Sequence, residues 1–146
     1  MTNSKYLLAL SLAIALNVSC SKFEDGPGFS FIPAESRLTG EWVVIGYEGP
    51  GSQYYGGDDD GVFKFEFDKD GEGRISYSYE DAGYSYEYGY IVEWELNDNE
   101  LTLEPAFYDN DPAIFEVQRL TRREMTLQVK NDELFEEGLV LKMEKE

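Results

Sequence analysis

The stretch Tyr84-Ser85-Tyr86-Glu87-Tyr88-Gly89-Tyr90-Ile91-Val92-Glu93-Trp94-Glu95-Leu96 decides the fold class. Tyr84, Tyr86, Tyr88, Tyr90, Val92, Trp94 and Leu96 share one parity. Ser85, Glu87, Gly89, Glu93 and Glu95 share the other, with Ile91 the exception. Successive strand side chains point to opposite faces, so this period of two reads as a long β-strand with one buried side. The same period recurs outward from it. Phe63, Phe65 and Phe67 alternate with Lys64 and Glu66, and Ile75, Tyr77 and Tyr79 alternate with Arg74, Ser76 and Ser78. Leu101 and Leu103 follow, then Phe115 and Val117, then Met125, Leu127 and Val129, then Leu139, Leu141 and Met143. With Trp42-Val43-Val44-Ile45 at the start, these make eight strands, and no long segment repeats at helical spacing.

Turn chemistry separates the strands: Asp68-Lys69-Asp70-Gly71, Glu80-Asp81-Ala82-Gly83, Asn97-Asp98-Asn99 and Thr121-Arg122-Arg123-Glu124. Connections this short leave no chain for helical crossovers, so neighbouring strands pair antiparallel. Closing the meander removes its exposed edges. The sequence therefore predicts an all-β domain over residues 37–146, an eight-stranded antiparallel up-and-down barrel, with a flattened sandwich as the alternative. Such a barrel has an interior just wide enough for side chains or one small ligand.

Composition narrows the chemistry. Acids outnumber bases 30 to 12, for a formal charge of −18. A surface this acidic repels nucleic-acid phosphate, where binding rests on Lys and Arg displacing counterions. Histidine, the commonest general base and metal ligand, is absent. The single cysteine is Cys20, which leaves the folded body without a disulfide or a thiolate nucleophile. No glycine-serine elbow or phosphate loop is present, and no spacing singles out a glycosidase carboxylate pair. The expectation is a non-enzyme without a cofactor. Asp58-Asp59-Asp60 and Asp68-Lys69-Asp70-Gly71-Glu72 offer oxygen ligands, but neither completes a calcium loop, so no metal site is expected.

Residues 1–19 read as an export signal. A polar start with Lys5 precedes the apolar run Tyr6–Leu16, about half of the roughly 20 residues that a helix needs to cross a bilayer. Leu16-Asn17-Val18-Ser19-Cys20 resembles a bacterial lipobox, with Asn17 where the pattern commonly has an apolar residue. That resemblance implies acylation of Cys20 by fatty chains such as palmitate, and stable anchoring needs more than one chain. Ser21-Lys22-Phe23-Glu24-Asp25 looks like the Lys-plus-acid export tag of Bacteroidetes surface lipoproteins, interrupted by Phe23. Residues 20–36 are then a lipidated tether rich in Gly, Pro and Ser. The expected location is the outer membrane, lipid-anchored and displayed at the cell surface, with the periplasmic face as the alternative.

The body carries a second resemblance. Leu38-Thr39-Gly40-Glu41-Trp42 looks like the Gly-x-Trp motif that opens lipocalins, and more closely the lipocalin-like domains of Bacteroidetes lipoproteins. Trp94-Glu95-Leu96, Leu101-Thr102-Leu103 and Leu120-Thr121 match the short motifs common to those domains. The resemblance spans about residues 37–145. It implies that Gly40 and Trp42 sit at one end of the barrel, where lipocalins pack a late Arg on the Trp. The last strand offers Lys142 in that role.

Two functional readings follow. In the first, Tyr77, Tyr79, Tyr86, Tyr88 and Tyr90 face the interior and line a partly polar pocket for a small apolar or amphipathic molecule. The loop 49–61, with its glycines and Asp58-Asp59-Asp60, would overhang the mouth. In the second, the rings simply fill the barrel, and the protein is a structural or interaction module accessory to a larger cell-surface complex.

Overall fold

The computed structural model describes residues 32–55, 61–106 and 111–146. Cys20, the export signal, most of the tether and Asp58-Asp59-Asp60 lie outside the described residues. A one-turn helix, α1 (Ala34–Leu38), precedes eight strands: β1 (Gly40–Glu48), β2 (Val62–Phe67), β3 (Glu72–Asp81), β4 (Tyr84–Asn97), β5 (Glu100–Pro105), β6 (Ala113–Leu120), β7 (Glu124–Asn131) and β8 (Val140–Lys145). Each strand pairs antiparallel with the next, and β8 pairs back on β1, so the sheet is a closed barrel. This is the expected up-and-down topology, not the flattened sandwich.

Alternation explains the core. Trp42, Phe65, Phe67, Phe115, Leu101, Leu103 and Leu127 lie on inward parities and are essentially inaccessible. Phe65 meets Phe115 edge-on at 6.3 Å, and Phe67 meets Trp94 edge-on at 5.8 Å, arrangements that suit the ring quadrupoles. Three register shifts interrupt the ladders, and two of them reset the phase of the core. One falls between Val44 and Gly46 in β1, leaving Ile45 exposed and turning Tyr47 toward the core. The other falls between Val117 and Arg119 in β6, which brings Leu120 inward. A strict period of two would have sent both Tyr47 and Leu120 outward.

One end of the barrel is sealed. A five-residue helix is marginal alone, and α1 is held by packing. It buries Ala34 and Leu38, and Arg37 Nη1 donates to the Leu120 carbonyl at 2.5 Å. The Trp42 indole N–H donates to the Leu38 carbonyl at 2.6 Å. Lys145 Nζ lies 4.9 Å from the Trp42 ring centre and donates to the Arg37 carbonyl at 2.9 Å. Lys145, not Lys142, is therefore the cation packed on the Trp. Lys142 is one strand residue of the opposite facing, points to solvent and pairs with Glu48.

The other end is uneven. β2 begins at Val62 opposite Ser78, and β5 stops at Pro105 opposite Val92. The β3–β4 hairpin runs on beyond both, closed by Ala82 and Gly83 with φ of 50° and 83°. Tyr84, Tyr86 and Tyr88 keep the inward parity but stand above the rim, 68%, 39% and 60% exposed. The expectation that the whole strand has one buried side is corrected here. Parity fixes which way a side chain points, and only neighbouring strands can bury it.

Candidate functional site

The open end carries the features that a ligand could use. Asp132–Leu139, the β7–β8 connection, folds across the mouth and drives Phe135 into it, where that ring is almost fully buried. Asp132 shapes the turn: its Oδ1 accepts the backbone N–H groups of Leu134 and Phe135 at 2.6 and 2.9 Å, an Asx arrangement. Phe135 packs against Phe63 and Tyr55, with ring centres at 5.0 and 5.7 Å. Tyr55 in turn stacks on Tyr47 and donates its hydroxyl to the Leu134 carbonyl at 2.8 Å. The segment after β1 and the β7–β8 loop are thus locked together over one side of the mouth.

On the other side a cavity of about 230 Å³ remains between this loop and the wall of β4, β5 and β6. Val92, Leu103, Pro105, Ala113 and Leu134 give it an apolar lining, and Tyr90, Asp111, Asp132 and Glu133 supply the polar groups. Among the described residues no Lys or Arg lines it. Burial pushes the Tyr90 hydroxyl up to about 12, aided by the negative charges of Asp132 and Glu133. Burial likewise raises the Asp132 carboxyl above its ordinary value, against the two backbone N–H groups that favour its charged form, and Glu133 adds to the rise. In both groups burial and neighbouring carboxylates disfavour the charged form. Among the described residues no three carboxylates converge closely enough to hold a metal ion.

The five tyrosines anticipated as a barrel lining separate into two groups. Tyr90 alone lines the cavity, half-buried. Tyr77, Tyr79, Tyr86 and Tyr88 form a row of rings climbing the projecting hairpin. Tyr77 packs on Phe63 at 4.6 Å and on Tyr79 at 5.8 Å. Tyr79 stacks on Tyr86 at 5.1 Å and on Tyr88 at 6.2 Å. The Tyr77 hydroxyl accepts the Gly61 N–H at 3.0 Å, so this row also fixes the end of the 49–61 loop. A hydrogen bond with Tyr88 raises the Tyr79 hydroxyl, with smaller contributions from burial and nearby charge. Gly40 and Trp42 belong to the sealed end and touch none of this.

Sequence reasoning missed Asp111, Asp132, Glu133, Leu134 and Phe135, which all sit in connections where no period exists. One signal was available. Leu134-Phe135 is an apolar pair inside the acidic run Asp132-Glu133-Leu134-Phe135-Glu136-Glu137, and such a pair in a loop needs something to cover it.

No family model matches the chain, and no curated protein matches it. Solved structures do match. An uncharacterized protein from Bacteroides eggerthii aligns with a TM-score of 0.53 at 16% identity, covering 74% of this chain and 98% of that one. A lipocalin-like protein from Bacteroides uniformis aligns with a TM-score of 0.51 at 16% identity, covering 75% and 99% respectively. At that identity the likeness is one of fold: the described body is a lipocalin-like barrel.

Proposed function

We propose that the protein is a non-enzymatic, surface-anchored lipoprotein that binds a small, largely apolar molecule at the open end of its barrel. The observation that supports this reading is the contrast inside the barrel. Below Tyr90 the interior is filled by Trp42, Phe65, Phe67, Phe115 and Leu127, whereas beside Tyr90 an apolar cavity of about 230 Å³ stays open. Drug-sized ligands occupy roughly 300–1,000 Å³, so the occupant is smaller than those. The site is the loop-capped mouth and not a tyrosine-lined tube. Native mass spectrometry of the detergent-solubilised full chain tests it. A co-purifying small molecule is expected, and Ala113→Trp, which places an indole in the cavity, should abolish its retention. Retention unchanged by that substitution would refute the site.

Anchoring rests on the sequence: the short apolar run of residues 6–16 and a sole cysteine at position 20. Metabolic labelling with radioactive palmitate should mark the wild-type chain and not Cys20→Ser. Display on the outer face is checked by proteolysis of intact cells, and resistance until the outer membrane is opened would place the domain on the periplasmic face instead.

A second reading, an accessory module of a larger surface complex, is favoured by the exposed ring row on the projecting hairpin, where Tyr84 and Tyr88 are 68% and 60% exposed. In that case, crosslinking on cells should give one fixed partner band that Tyr84→Ser with Tyr88→Ser removes, while retention of the small molecule persists.

A further inference from the structure

The cavity also carries information about the charge of its occupant. Its polar lining comes from two elements besides β4. Tyr90 projects from β4, Asp111 stands just before β6, and Asp132 and Glu133 open the β7–β8 loop. β5 contributes Leu103 and Pro105, and β6 contributes Ala113, none of them charged. Three carboxylates and an aromatic ring therefore border an apolar space, and among the described residues no Lys or Arg lines it.

We propose that this cavity selects a small organic cation, a protonated amine carried on a short aryl or alkyl body. The proposal rests on the reading of the cavity as a binding site and adds the class of ligand. An apolar body matches Val92, Leu103, Ala113 and Leu134. An ammonium head finds the half-buried Asp132 carboxylate, with Asp111 and Glu133 at the exposed edge, and an aromatic face, Tyr90, whose quadrupole attracts cations. Asp132 is placed for this. Oδ1 is occupied by the Leu134 and Phe135 N–H groups, which fixes the carboxylate, and Oδ2 makes no hydrogen bond among the described residues. A carboxylate ligand would meet like charge from Asp111, Asp132 and Glu133. A neutral ligand would bring no charge to the half-buried Asp132 carboxylate. A metal ion is a poorer fit than an amine, because the described carboxylates do not converge into a coordination cluster. The overall charge of −18 draws cations toward the mouth in addition.

Calorimetric titration of the purified full chain at low ionic strength tests the proposal with three probes of nearly equal shape: 2-phenylethylamine, 2-phenylethanol and phenylacetate. The amine is expected to bind at least about tenfold more tightly than the alcohol, and phenylacetate the weakest of the three. Asp132→Asn keeps an oxygen for the two backbone donors, and should shrink the amine-to-alcohol ratio to under about threefold. Glu133→Gln should shrink it in the same direction. Glu124→Gln, at the opposite end of the barrel, removes the same net charge and should leave the ratio as it was. An alcohol or acid binding as tightly as the amine, with binding abolished by Ala113→Trp, overturns the cation preference and leaves the cavity as the site. Failure of all three probes to bind at millimolar concentration counts against the cavity itself and the cation preference with it. A ratio that falls equally in Glu124→Gln and Asp132→Asn reduces the effect to bulk charge and also overturns the proposal.

Discussion

Gly40 and Lys145 meet at the sealed end, and each explains the other. Gly40 has a φ of +120°, and a Cβ there would stand 2.6 Å from Lys145 Cε. The glycine thus allows both a backbone turn that side chains resist and the approach of the lysine that covers Trp42. Burial lowers the affinity of Lys145 for its proton, so its cation–π contact and its bond to the Arg37 carbonyl work against a desolvation cost. Lys145→Ala is expected to cost about 1–2 kcal/mol in a urea titration. Lys142→Ala should cost less than about 0.5 kcal/mol, because its pairing with Glu48 is exposed. Equal costs would return the Trp-covering role to Lys142. At the other end, Tyr90 ionises near 12 when folded and at its ordinary 10 when unfolded. Below pH 10 the neutral phenol is common to both states and its stabilising share is complete. As pH rises from 10 to 12 the unfolded chain gives up the proton first, and that share is lost. Tyr90→Phe should therefore show a shallower fall in Tm over this window than the wild type, and parallel curves would mean that the phenol is not held neutral.

The element that most shapes the open end is the β3–β4 hairpin. Its length comes from ten paired positions, Glu72↔Glu93 to Asp81↔Tyr84, which outrun β2 and β5. The two-residue turn at its tip demands positive φ at both positions, and Ala82 adopts it at 50° beside Gly83 at 83°. An L-residue with a Cβ is strained there. Ala82→Asn should stabilise the protein by about 0.5–1 kcal/mol, read by urea denaturation; a loss would show that the turn is of another type. The alternation from Tyr84 to Leu96 was legible as one strand, and its pairing with β3 followed from the short turn. What could not be read was where its neighbours stop. Those ends are set by Val62 and Pro105, and no periodicity in β4 reports them.

For the whole molecule, charge is the dominant long-range quantity. A formal charge of −18 on a chain of 146 residues repels itself in the compact state. Six ion pairs among the described residues, including Lys64 with both Glu41 and Glu146, are partly exposed and offset little of this. Screening should help. Raising NaCl from about 0.01 M, where charges interact over roughly 30 Å, to about 0.5 M is expected to raise Tm. A flat or falling Tm would mean that the acids are spaced widely enough not to matter.

Eight strands, their antiparallel order, the closure of the barrel and the parity of nearly every core residue were determined by the sequence itself. A period of two with short polar turns admits few other solutions. The motif around Gly40 and Trp42 likewise announced a barrel end. The tertiary structure alone decided three things: which lysine covers Trp42, which tyrosines are buried, and where space remains. Lys142 and Lys145 differ in which side of β8 they occupy, and strand tilt brings only the second to Trp42. Tyr90 and Tyr88 share a parity and both lie past the end of β5, yet Tyr90 borders the cavity under the β7–β8 loop while Tyr88 is exposed. The cavity beside it is bounded by Asp111 before β6 and by a loop, three strands further along the chain than β4, that carries Asp132 and Leu134. Parity is a local property of the backbone; burial and empty volume arise where distant segments meet.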